Sequence, residues 1–190
     1  MTKIHCGILA FQGDVEEHEA AFLRLGIKAD RVLNPEQLAP LTHLVIPGGE
    51  STVMSQFLKD SEVKKMIIER VQSGQLSIFG TCAGAILLAK NVQPPEKVEN
   101  MALIDLDVDR NAYGSQLHSF EEEVKFLPTE EKIQATFIRA PKFTRIGEGV
   151  ETLASHQNTP ILVRQKNVLA GSFHPEYLEN PIVHNYFLQM

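Results

Sequence analysis

Short apolar runs alternate with amphipathic stretches through the first half of the chain, the pattern of a parallel sheet with crossover helices rather than of a sandwich or a bundle. Residues 4–11 predict the first buried strand. Asp14 followed by Glu17 spells a capping box for a helix that Gly26 ends. Residues 27–33 predict a second strand, and Leu44, Val45 and Ile46 a third that breaks at Pro47-Gly48-Gly49. Ser51 is placed to cap a short helix reaching Leu58. Ser61 caps another, in which Val63, Met66, Ile67 and Val71 share one face and Gly74 is the stop. Residues 76–79 form the next strand, which runs through Gly80-Thr81-Cys82-Ala83-Gly84 into an apolar helix over 85–89. From residue 103 the pattern turns mostly to strand, over 103–108, 120–127, 135–138, 161–164 and 168–173. Asn180-Pro181 starts a last helix that turns Ile182, Val183, Tyr186 and Phe187 to the core. These elements predict an α/β fold, a mostly parallel central sheet flanked by helices, in one domain over residues 1–190.

Composition narrows the classes of function. With 190 residues, 43% hydrophobic and 22% charged, collagen-like, low-complexity and disordered readings drop out. Eighteen Lys plus Arg against 24 Asp plus Glu leave a net charge of −6, without the basic cluster that nucleic acid would need. The apolar stretch over 7–11 is too short for a signal-peptide core, and no run approaches the roughly 18 to 20 apolar residues of a membrane span. A cytoplasmic protein is expected. The two cysteines, Cys6 and Cys82, do not staple a chain of this size, so each invites a separate reading.

Gly80-x-Cys82-x-Gly84, after a strand and before a helix, has the layout of a nucleophile elbow. The turn lifts the side chain to the carboxyl edge of the sheet, and the helix N-terminus behind it favours a negative sulfur. Cys6 lies inside an apolar strand and is read as structural. A nucleophilic thiol needs a base, and Phe173-His174-Pro175-Glu176 supplies one at a strand end. In an extended chain Glu176 projects to the same side as His174, so the carboxylate can orient one ring nitrogen while the other faces the thiol. Cys82, His174 and Glu176 therefore form a candidate triad. Candidate oxyanion donors are the amide of Ala83 and one from the Gly48-Gly49 loop, Gly49 in particular. Asp105, Asp107 and Asp109 alternate as at the start of a calcium loop, but Arg110 and Gln116 hold positions that should be glycine and glutamate, so they are read as the polar face of a strand. Glu16, Glu17, His18 and Glu19 are read as a solvated helix face, not as a metal site.

These motifs resemble the class I triad glutamine amidotransferases, whose fold is flavodoxin-like. Phe11-Gln12-Gly13, Pro47-Gly48-Gly49-Glu50-Ser51-Thr52, Asp109-Arg110-Asn111-Ala112-Tyr113-Gly114 and Phe137-Ile138-Arg139-Ala140-Pro141 are similar, more closely, to glutaminase subunits of pyridoxal 5′-phosphate synthases. The resemblance implies hydrolysis of L-glutamine to glutamate and ammonia, and transfer of the ammonia to a synthase subunit in a hetero-oligomer. It implies that Cys82 is the nucleophile, His174 the acid/base and Glu176 its orienter. It also implies that Gly48, Gly49, Glu50, Arg110, Ile138 and Arg139 bind glutamine, with no metal and no cofactor. Ser115, His118 and residues 177–184 depart from the family pattern, which bears on the rim and the partner-facing contacts. Two other expectations compete: the glutaminase of another biosynthetic amidotransferase, such as imidazole glycerol phosphate synthase, and a non-catalytic or redox-sensing protein on the same fold.

Overall fold

The computed structural model describes residues 4–95, 98–110 and 119–190. The first half supplies β1 (Cys6–Leu9), α1 (Val15–Arg24), β2 (Asp30–Val32), α2 (Pro35–Leu38), β3 (His43–Ile46), α3 (Ser51–Leu58), α4 (Glu62–Gln72), β4 (Ser77–Thr81) and α5 (Ala83–Leu88). The second supplies β5 (Ala89–Gln93), β6 (Ile104–Asp109), β7 (Phe120–Phe126), β8 (Glu131–Phe137), β9 (Lys142–Ile146), β10 (Glu151–His156), β11 (Thr159–Gln165), β12 (Val168–Gly171) and α6 (Ile182–Phe187), with a 3-10 turn over Pro175–Tyr177 before α6.

Seven strands form the central sheet in the order β10-β11-β12-β4-β3-β1-β2. The run from β12 to β2 is parallel, while β10 and β11 extend it as an antiparallel meander. Burial on both faces explains why the parallel strands read as continuous apolar runs. Successive residues still alternate: Leu44, Ile46 and Ile78 pack with α2, α3, α4 and α5, whereas Val45 and Phe79 pack with α1 and α6. The sheet β5-β6-β9 joins the first of these cores and the hairpin β7-β8 the second. None of the described helices is long and apolar enough to cross a membrane.

Several local expectations change. The strand expected over 4–11 covers Cys6–Leu9, and the one over 27–33 covers Asp30–Val32. Asp14 stands at the N-cap of α1 but makes no side-chain cap; its carboxylate turns to His174. Ser51 is the first helical residue of α3 rather than its cap, because the Glu50 carboxylate accepts from the Thr52 amide. Ser61 does cap α4, accepting from the Lys64 amide at 3.1 Å. The helix expected over 85–89 starts at Ala83 and ends at Leu88, and residues 89–93 leave it to pair with β6. Strands β9 and β10 lie in stretches where no strand was expected. In α6 Tyr186 is only half-buried and His184 is buried in its place. Asp105 and Asp107 lie on the polar face of β6 as expected, paired with Arg145. His18, expected in solvent, is fully buried.

Candidate active site

Five parallel strands end at one edge of the sheet, and the chain continuations of four of them supply the residues of the site. Past β1 come Gln12 and Asp14, past β3 Gly48 and Gly49, past β4 Cys82, and past β12 His174. Clefts at the carboxyl ends of parallel strands are where such sheets bind ligands. Pairing of β12 with β4, in register at Gly171 and Thr81, brings His174 beside Cys82 across the length of the chain.

Cys82 sits at φ 47° and ψ −103°, a conformation L-residues rarely adopt, at the N-cap of α5. Its amide is tied to the Gly171 carbonyl at 2.8 Å. The turn requires glycine at 84, where a Cβ would overlap the Ile46 carbonyl. Cys82 is 5% exposed, and its sulfur donates to the carbonyl of Ile138 at 3.7 Å.

His174 is buried, with Nδ1 2.8 Å from Glu176 Oε1 and 3.2 Å from Asp14 Oδ2, and Nε2 3.3 Å from the Ile138 carbonyl. With acceptors at both nitrogens, the ring favours its protonated form. Burial opposes this, but hydrogen bonds with Asp14, Cys82 and Glu176 prevail and move the imidazole pKa up. Burial also raises the Glu176 carboxyl, against the pull of His174. Of these two upward shifts the imidazole's decides where the shared proton lies, on Nδ1, because a charged ring faces two carboxylates there. The predicted contact forms, but through the 3-10 turn and not an extended chain. Arg24 holds that turn, donating to the carbonyls of Glu176 and Leu178 at 3.3 and 3.0 Å.

A cavity of about 360 Å³ opens over the thiol, within the range of small-molecule sites. Of the residues singled out in the sequence, Gly49, Glu50, Cys82, Ala83, Arg110, Ile138, Arg139 and His174 line it. Gly48 and Glu176 do not; both stand behind His174. A Cβ on Gly48 would meet His174 Cε1 and Asp14 Oδ2 at 2.6 Å, so glycine there allows the imidazole its place. Glu50 organises its loop: besides capping α3 it lies 3.7 Å from Arg110, and its amide donates to Gln12 Oε1 at 2.9 Å. Arg110 donates through Nη2 to Thr52 Oγ1, while its buried Nη1 makes no hydrogen bond among the described residues. A guanidinium N–H held without an acceptor at a cavity wall suits a carboxylate ligand. Asn111 to His118, including Ser115, lie outside the described residues. Sequence reasoning gave Asp14 only a helix cap and gave Gln12 and Tyr177 no role in the site, yet all three line the cavity. The position of Gln12-Gly13-Asp14 just beyond a parallel strand was a signal for the first two.

A family model described as the SNO glutamine amidotransferase family matches residues 8–190. The pyridoxal 5′-phosphate synthase subunit PdxT of Thermus thermophilus is 45% identical over 184 residues, covering 97% of this chain and 96% of the relative. The protein of the same name from Thermosipho africanus is 44% identical, with 97% of each covered. A crystal structure of a glutamine amidotransferase, 46% identical, superposes with a TM-score of 0.91 over 97% of each chain. PurLQS from Thermotoga maritima, 16% identical with a TM-score of 0.74 over 99% of each chain, shares the fold.

Proposed function

The chain belongs to the SNO glutamine amidotransferase family, and on that premise we propose that it is the glutaminase subunit of a pyridoxal 5′-phosphate synthase. It hydrolyses L-glutamine to L-glutamate and ammonia, and a synthase subunit takes up the ammonia. The observation that carries this reading is a cysteine in a strained elbow at the same sheet edge as a buried imidazole–carboxylate pair, under a cavity walled by a guanidinium donor that makes no hydrogen bond among the described residues.

In the proposed sequence the proton that charges His174 is the one Cys82 gives up, and the resulting thiolate attacks the side-chain amide carbon of glutamine. The amides of Gly49 and Ala83 receive the developing oxyanion, an interaction whose loss typically costs about 3 to 4 kcal/mol of transition-state stabilisation. His174 protonates the departing nitrogen, ammonia leaves, and the same imidazole deprotonates the water that opens the thioester. Glu176 keeps the ring oriented through Nδ1. Arg110 and Arg139 take the substrate carboxylate, the Ile138 carbonyl and Glu50 serve the amino group, and Gly49 shapes the wall between them while Gly48 leaves room for His174 behind it. Ammonia released into neutral water would become ammonium and lose its nucleophilicity, which favours handover within a hetero-oligomer.

We read residues 1–190 as one glutaminase domain and place it in the cytoplasm, a reducing compartment suited to a free catalytic thiol. The test is glutamate release in the presence of the synthase subunit. Cys82→Ala is expected to reduce it to background with the fold retained. Wild-type release by this variant overturns the reading, and stimulation by the imidazole glycerol phosphate synthase partner alone would favour the other amidotransferase.

A further inference from the structure

Glu176 has two carboxylate oxygens, and the arrangement above uses one. Oε1 meets His174, while Oε2 is buried and makes no hydrogen bond among the described residues. A carboxylate without exposure is hard to keep charged unless its second oxygen also faces a donor. Nε2 of His18 stands 3.5 Å from it. His18 belongs to the buried face of α1, where its ring packs against Phe79 of β4 and His184 of α6. The same Nε2 lies 3.1 Å from the hydroxyl of Thr81, the residue before the nucleophile, and Nδ1 lies 2.8 Å from His184 Nε2. Nδ1 of His184 has no hydrogen-bond partner among the described residues.

Counting protons decides which way this row points. Burial holds both rings neutral; a proton on either would also repel one on the other, the charged His174 adds to this at His18, and Arg24 adds to it at His184. One proton therefore lies between His18 Nδ1 and His184 Nε2. If His18 supplied it, its own Nε2 would aim a lone pair at the Glu176 carboxylate, and His184 would bury an N–H without an acceptor. If His184 supplies it, only a bare lone pair is orphaned, and His18 Nε2–H faces Thr81 and Glu176.

We infer that His18 is a positioning residue for the reaction: held in its Nε2–H tautomer by His184, it presents a neutral donor to the second oxygen of Glu176. That donor keeps the carboxylate charged and in the rotamer that orients His174. The inference rests on the triad assignment proposed above.

The test measures glutaminase kinetics, in complex with the synthase subunit, for His18→Leu, His18→Gln and His18→Asn beside Glu176→Gln. Glutamine carries its amide nitrogen to the place of Nε2, whereas asparagine stops near Nδ1, so only glutamine restores a donor to Glu176. The expected result is a fall in kcat of about 10-fold or more for the leucine and asparagine variants, the scale found for groups that orient ligating histidines. KM should stay unchanged, and His18→Gln should recover most of kcat. A merely structural role would lower the melting temperature without separating kcat from KM or glutamine from asparagine. Equal kcat for His18→Gln and His18→Asn overturns the inference, as does full activity of His18→Leu; if the leucine variant does not fold, the glutamine–asparagine pair decides. A fully active Glu176→Gln overturns the triad assignment and this inference with it. An inactive Glu176→Gln beside a fully active His18 series overturns this inference alone.

Discussion

The backbone at Cys82 makes a prediction that separates strain from side-chain chemistry. Cys82→Ala and Cys82→Gly both lack the sulfur and differ only in the Cβ. At an ordinary buried position glycine is the less stable of such a pair: the lost methyl removes about 0.8 kcal/mol of burial, and the freer unfolded chain adds about 0.4 to 1 kcal/mol. Together these favour alanine by about 1.2 to 1.8 kcal/mol. At φ 47° and ψ −103° the Cβ also carries a conformational penalty, of order 1 to 3 kcal/mol, which glycine relieves. The balance for Cys82→Gly then runs from about 0.8 kcal/mol less stable to about 1.8 kcal/mol more stable than Cys82→Ala, centred on a small gain. Ala85→Gly in the neighbouring helix, with no such penalty to relieve, is the control and should show the full loss. Thermal unfolding reads the difference, since for a chain of this size 1 kcal/mol moves Tm by about 2 to 4 °C. If Cys82→Gly melts below Cys82→Ala by as much as Ala85→Gly melts below the wild type, the elbow is not strained. Strain would then have no part in presenting the thiol.

Two further outcomes are expected. Arg110→Lys keeps the charge but loses the fork that reaches Thr52 through Nη2 and leaves Nη1 without an acceptor among the described residues, so KM for glutamine should rise by about 10-fold or more with kcat little changed, on the scale of a hydrogen bond to a charged group; a kcat effect alone would contradict a binding role. The His184 pKa falls from 6.5 to about 3 through burial and then Arg24, with His18 and Phe22 of α1 and Phe79 of β4 also against the ring. Its folded pKa lies below its unfolded one, so its contribution to stability is present above pH 6.5 and is lost as pH falls from there toward 3, by roughly 1.4 kcal/mol per unit. His184→Leu should therefore show a shallower decline of Tm between pH 6 and about 4 than the wild type; parallel curves would refute the assignment.

The alternating strand and helix pattern, the Ser61 cap and the elbow at Gly80 to Gly84 were legible because each depends on neighbours a few residues apart. The motifs also carried the Gly48-Gly49 loop, Ile138 and Arg139 to the cavity they line. Asp14 shows where local reasoning stops: its spacing to Glu17 is that of a capping box, but a buried imidazole from the far end of the chain competes for its carboxylate and wins. His18 failed for the same reason. Its acidic neighbours made the segment look solvated, yet helical spacing put it in line with Val15 and Phe22 on the packed face. Strands β9 and β10 escaped because half-buried antiparallel strands with polar outer faces have weak patterns.

Local chemistry written along the chain thus determined the kind of fold, the turn at Cys82 and the His–Glu partnership, since these need only short-range spacing and a glycine where a backbone passes close. Tertiary structure decided what no local pattern encodes: the pairing of β12 with β4 that sets His174 beside Cys82, and the meeting of α1 and α6 that puts two neutral histidines behind Glu176. The physical reason is that burial and hydrogen-bond competition are settled among groups distant in sequence. A residue's charge, tautomer and partner follow from that settlement, and its neighbours in the chain do not announce them.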